Sequence, residues 1–293
     1  MPRVRRASCT LPPVKICKRP DCGNIAVGFD GCCIGHTQRR RVKSYNARPT
    51  CRRMKNPIGM ELELVHPNGV HYITPVARYV CQDASIGYDG GEIKFVAPAD
   101  KIADKAADIA QRAAHAGCKV NKRCGFHVHN SMPDGIVEGL ASRDIKMIRD
   151  GYLQSNAITR LYWFAKNFEE YFFDISPKSR RGNGYCCKLG SNPNSLHSHY
   201  SWLSLSNRVP TIELRIHAAT VNPWKVKGWI EVNLRLRELM HDVILDVKGQ
   251  NGMGTPQGSL SFSDHMPANS LGKKYLLARE NAGGTLKNFG FGS

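Results

Sequence analysis

Along residues 57–65 (PIGMELELV) apolar and polar positions alternate, with Met60, Leu62 and Leu64 on one side and Glu61 and Glu63 on the other. Period two predicts a strand with one buried face. Residues 91–97 (GEIKFVA) predict a second strand and 124–130 (CGFHVHN) a third, in which Phe126 and Val128 oppose His127 and His129. Over 100–116 the period lengthens to that of a helix: Ile102, Ala106, Ile109 and Ala113 share one face, and Gly117 stops the run. A long helix is predicted from Ser142, a good N-cap, to Ala165. Strands at 199–206 and 210–217 follow, and a last helix opens at Asn222-Pro223, proline being favoured at the first helical position. Strand pairs alternating with helices predict an α+β fold around a mainly antiparallel sheet.

This patterning is confined to residues 54–247. Residues 1–50 are basic, cysteine-rich and poor in periodic apolar positions, whereas 248–293 open with a glycine-rich run and stay largely polar. Three units are expected: a small N-terminal module, a central domain and a C-terminal extension. Hydrophobic residues at 41% and charged ones at 23% fit a globular chain and exclude a fibrous or wholly disordered one. No stretch approaches the ~20 apolar residues of a membrane helix. Met1-Pro2-Arg3-Val4-Arg5-Arg6 is basic without the apolar run of a secretory signal, so a cytoplasmic protein with no membrane partner is expected.

Charge separates the first unit further. Of the net +18, residues 1–55 hold 14 Lys and Arg against only Asp21 and Asp30. Such an arm is drawn to polyanions, whether nucleic acid, an anionic wall polymer or nucleotides. The 11 cysteines include the adjacent pairs Cys32–Cys33 and Cys186–Cys187, which favours metal ligands and reduced thiols over a disulfide framework. Cys17, Cys22, His36 and either Cys33 or Cys32 have the count and rough spacing of a structural Zn²⁺ site. In so apolar-poor a segment, the metal would supply the folding energy. Arg39, Arg40 and Arg41 beside such a knuckle also suit a nucleic-acid contact.

Three predicted strands carry a charged or imidazole pair spaced i, i+2: Glu61/Glu63, His127/His129 and Glu213/Arg215. Both members of each pair fall on one sheet face. If the strands share a sheet, the pairs meet on one surface whose carboxylates and imidazoles suit Mg²⁺ or Mn²⁺, beside an arginine that suits a phosphate. Taken singly, each pair equally fits a solvated sheet face or a surface salt bridge; all three in this order point to chemistry. Cys124 and His127, three apart on a strand, face opposite ways and make a poor nucleophile–base pair.

The order Ile58-Gly59-Met60-Glu61-Leu62-Glu63, then Asp83-Ala84-Ser85-Ile86 with Glu92-Ile93, Cys124-Gly125-Phe126-His127-Val128-His129, Ser179-Arg180-Arg181-Gly182-Asn183-Gly184-Tyr185-Cys186 and Thr211-Ile212-Glu213-Leu214-Arg215 resembles the amidoligase family. That family groups with glutamine synthetase and glutamate–cysteine ligase, the carboxylate–amine ligases. The likeness spans about residues 54–240 and leaves out both ends of the chain. It implies a glutamine-synthetase-like antiparallel funnel flanked by helices, with ATP at one end and the acceptor carboxylate at the other. It implies metal ligands at Glu61, Glu63, Glu92, His127 and Glu213, with His129 facing the nucleotide. Arg215 falls where the family binds phosphate, and Arg180 and Arg181 resemble its Ser-Arg loop. The chemistry implied is amide formation through an acyl phosphate, with carboxylate- and amine-bearing small molecules or peptides as substrates; Asp83 or another nearby carboxylate would be the base for the amine. A phosphotransferase of the same fold, or a nucleic-acid binder on an inactive ligase-like body, is the alternative. The chain departs from the family at Ala84, where glycine is common, and at Lys94, where a small polar residue is common.

Overall fold

A computed structural model describes residues 57–132, 155–205, 211–245 and 261–284, with Leu286 and Phe289. The expected zinc ligands Cys17, Cys22, Cys33 and His36, and the helix cap at Ser142, lie outside the described residues. Within them the chain is mixed α and β. The strands are β1 (Pro57–Val65), β2 (Tyr79–Gln82), β3 (Gly90–Pro98), β4 (Gly125–Ser131), β5 (Leu203–Leu205) and β6 (Thr211–Ala218). They form one six-stranded sheet in the order β2-β3-β1-β4-β6-β5, and every neighbouring pair is antiparallel.

The helices are α1 (Ile102–His115), α2 (Ser155–Asp174), α3 (Pro223–Leu245) and α4 (Leu271–Asn281). The apolar stripe Ile102, Ala106, Ile109, Ala110 and Ala113 buries α1, and Gly117, at φ +81°, ends the turn that follows it. At the start of α3 the Asn222 side chain accepts from the Trp224 and Lys225 amides, and Pro223 lacks the amide that would otherwise be left over. Ile58, Met60, Leu62 and Leu64 of β1 join Phe126 and Val128 of β4 and the buried faces of the helices in one continuous core.

Three differences from the sequence-based expectation stand out. The helix expected to end at Ala165 runs to Asp174, because Phe164, Phe168 and Phe172 extend its buried stripe at i+4 spacing. The strand expected from 199 begins only at Leu203. Residues 261–284, placed by composition in a polar extension, pack into the common core: α4 lies on α3 with Tyr275 and Leu276 fully buried. Among the described residues no helix is long and apolar enough to cross a membrane.

Candidate functional site

The charged pairs meet on the sheet face opposite the helices. Register makes this happen: Glu61 stands across from Lys94 on β3 and from His127 on β4, Glu63 stands across from Glu92, and His129 across from Glu213. Directly opposed residues share a face. Two glycines make room for the result. A Cβ at Gly59 would sit 3.3 Å from the His129 Cβ, and one at Gly125 would lie 2.4 Å from Arg180 Nη2 and 2.6 Å from His127 Nε2. Each stands two residues before a functional side chain, on the same face.

Glu61, His127 and Glu213 form one group whose ligand atoms lie within 4.8 Å of one another, and Glu63, Glu92 and His127 form another. His127 Nδ1 is 3.6 Å from Glu61 Oε2 and 3.7 Å from Glu213 Oε1, while its Nε2 is 3.8 Å from Glu63 Oε1. His129 Nε2 approaches the same two oxygens, at 3.6 Å from Glu61 and 3.9 Å from Glu213, and its Nδ1 is 3.1 Å from Thr211 Oγ1. His127 is 3% exposed, yet its Nδ1 has no hydrogen-bond partner, and neither has His129 Nε2. Buried nitrogens without partners are rare and need a cause. Donor atoms ~2.1 Å from a shared Mg²⁺ would stand about 3 Å apart as octahedral neighbours and about 4.2 Å apart across the ion. The observed spacings lie between those limits, so nitrogen and carboxylate donors fit a divalent cation here.

The electrostatics agree. Burial raises the Glu61 carboxyl, but His129, His127 and Lys94 outweigh it and hold Glu61 well below the usual carboxylate range. For Glu213 burial is likewise overcome, by His129, Arg215 and His127. Glu92 goes the other way: burial, then the Glu61 charge, push it well above its ordinary value against the pull of Lys94. Lys94 is itself buried, at 2.7 Å from Glu92 Oε2 and 2.9 Å from Glu61 Oε1, and these two anions outweigh burial and raise it.

Arginine arrives from two directions. Arg215 on β6 pairs with Glu213 through its Nη1 and donates from Nε to the Tyr185 carbonyl at 3.4 Å. Arg180 comes from a short 3₁₀ turn (Lys178–Arg180), is 2% exposed, and leaves Nε and Nη2 without a hydrogen-bond partner. Burial pulls its guanidinium below the usual value, partly offset by Glu63. The loop carrying it is stiffened by Asn183, whose amide donates to the Ser179 carbonyl at 2.6 Å and whose oxygen accepts from the Tyr185 amide.

Two expected residues hydrogen-bond to backbone groups rather than to the clustered side chains. Arg181 donates to the backbone carbonyls of Ser176, Asp174 and Gly283, which ties the end of α2 to the chain after α4. Asp83 is buried just after β2, where its Oδ1 accepts the Ser85 amide at 2.9 Å and shapes a turn. One member was missed as a participant: Lys94. It carried the same signal as the others, an i, i+2 charged pair with Glu92 on a strand. The chain matches no family model, and its sequence matches no curated protein.

Proposed function

We propose that the protein is an ATP-dependent carboxylate–amine ligase of the amidoligase kind, with a glutamine-synthetase-like sheet and a zinc-stabilised basic module at its N-terminus. The observation that carries this reading is the buried, unpartnered Nδ1 of His127 between Glu61 and Glu213, with the guanidinium of Arg215 paired to Glu213 and that of Arg180 near Glu63. A metal-carboxylate site flanked by two buried arginines suits a nucleoside triphosphate better than it suits a bare metal store.

Glu61, Glu213 and His127 would hold Mg²⁺ or Mn²⁺, with Glu63 and His129 next to them. Bound there, the ion would neutralise phosphate oxygens and orient the nucleotide. Arg215, fixed by Glu213, and Arg180, buried near His127, meet the charge that grows on the transferring phosphoryl group. Preorganised charge of this kind acts most strongly in the transition state. Transfer to a carboxylate gives an acyl phosphate, and an amine, deprotonated by Asp83 in this reading, displaces phosphate to form the amide. The basic N-terminal segment would draw in polyanionic partners.

The test is incubation of the full chain with ATP–Mg²⁺ and panels of carboxylates and amines, following phosphate release and amide formation by mass spectrometry. A ligase releases phosphate only when both acceptors are present, with amide in equal amount. A stable phosphorylated product would make it a phosphotransferase, and nucleotide binding without turnover an inert binder; either outcome overturns the proposal. Arg215→Lys keeps the charge and loses the planar fork, so turnover should fall by about 10²-fold or more while ATP affinity changes little.

A further inference from the structure

Lys94 stands between the two groups of candidate ligands. It is 5% exposed, and its ammonium donates to Oε1 of Glu61 at 2.9 Å and forms an ion pair with Oε2 of Glu92 at 2.7 Å. It therefore engages one ligand from each group but leaves Glu61 Oε2, the oxygen that faces His127 and His129, to the first group. The second group, Glu63, Glu92 and His127, fares differently. Its Glu92 is held by Lys94, its Glu63 Oε2 already accepts the Gly125 amide at 2.6 Å, and it shares its imidazole with the first group. A neutral imidazole offers one lone pair, so with His127 on the first ion a second would rest on Glu63, Glu92 and the Glu61 oxygen, two of which Lys94 occupies. The register fixes this arrangement, because Lys94 and Glu61 are direct cross-strand partners.

Resting on the metal reading above, we infer that Lys94 is a tethered cation that replaces a second divalent ion, and that the centre holds one ion, at Glu61, His127 and Glu213. Four carboxylates (Glu61, Glu63, Glu92, Glu213) already face three fixed cations (Lys94, Arg180, Arg215). A second divalent ion would have to displace the ammonium from Glu61 and Glu92.

The experiment counts Mn²⁺ on the full chain without nucleotide, by equilibrium dialysis and by the electron paramagnetic resonance spectrum. The cysteine-rich arm favours zinc and adds little manganese to the count. The parent should bind one Mn²⁺ with the spectrum of an isolated ion. Lys94→Met should bind two, with the broadened spectrum of ions about 3.5–4 Å apart. Lys94→Arg, which keeps the charge, should stay at one. Lys94→Gln, which can still donate to a carboxylate and so protects the fold, should bind two, as the methionine variant does. Two ions on the parent, or one on both neutral variants, would overturn the role of Lys94 and leave the metal reading standing. A parent that binds none would overturn the metal reading itself, and this inference with it.

Discussion

Substituting Gly125→Ala would press on the candidate site from beneath without removing any of its chemical groups. The added methyl would stand 2.4 Å from Arg180 Nη2, 3.1 Å from Arg180 Cζ and 2.6 Å from His127 Nε2. Non-bonded heavy atoms settle near ~3.5 Å, so guanidinium and ring must each retreat by roughly 1 Å. Neither has space to do so freely, since Arg180 is 2% and His127 3% exposed. Moving the strand instead would break the 2.6 Å hydrogen bond from the Gly125 amide to Glu63. Overpacking of this kind costs about 1–3 kcal/mol. For a chain of this size that lowers the melting temperature by roughly 3–10 °C.

The same shift takes His127 Nδ1 away from Glu61 and Glu213, and on the metal reading proposed above the displaced ligand geometry should weaken cation binding by about 10–100-fold. Thermal denaturation and Mn²⁺ titration measure the two effects on one preparation. Gly184→Ala is the control: nothing lies within 4 Å of a Cβ at Gly184, so both quantities should stay at parental values. A Gly125→Ala protein with parental melting temperature and parental cation affinity would refute the packing of Arg180 and His127 against this glycine.

Two further outcomes follow from groups outside the cluster. His217 is stacked on Trp229 and bonded to Tyr275, and burial, then Arg279, hold its imidazole well below its ordinary value. Below about pH 6.5 the unfolded chain takes a proton that the fold refuses, so the stability tied to His217 is complete above that pH and is lost as pH falls, at about 1.4 kcal/mol per unit. Subtracting the stability curve of His217→Gln from that of the parent isolates this slope, and a flat difference across the acid range would disprove it. Glu169 on α2 accepts the Leu189 amide at 2.6 Å and Trp202 Nε1 at 3.0 Å through one oxygen, with Lys166 on the other. Glu169→Gln turns an acceptor into a donor facing donors and should cost about 1–3 kcal/mol in urea denaturation, with a change in the near-ultraviolet signal of Trp202; an unmoved midpoint would show that this carboxylate does not pin the segment.

Strand and helix positions were legible wherever one face is buried and the other is not. Period two predicts β1 over 57–65 and the strand is found there, because Ile58, Met60, Leu62 and Leu64 alternate against glutamates. β2 has no such signature: Tyr79-Val80-Cys81-Gln82 is too short to show a period, and its pairing with β3 comes from tertiary contact. The last helix is hidden for another reason. Lys273, Lys274, Arg279 and Glu280 dilute the apolar content of α4, so its composition looked solvated although Leu271, Tyr275 and Leu276 are buried at helical spacing.

For the site, strand parity supplied the face and register supplied the contacts. Period two states that Glu61, Glu63, His127, His129, Glu213 and Arg215 each leave the core side of their strands, and for that a single chain pattern suffices. Which of them touch depends on how far β3 and β4 slide along β1, a property of paired strands. A two-residue slip of β3 would put Glu92 opposite Glu61 and take Lys94 out of its present pairing, since the observed partners are Glu61 with Lys94 and Glu63 with Glu92. The irregular pairing between Phe126 and Val128 of β4 and their partners on β6 is equally invisible from spacing: it sets Phe126 against His217, so His217 packs on Trp229 within the core. Three charged pairs in β1, β4 and β6 therefore announced a cluster. The position of Lys94 inside it, and the exclusion of His217 from it, arise only when the strands are laid side by side.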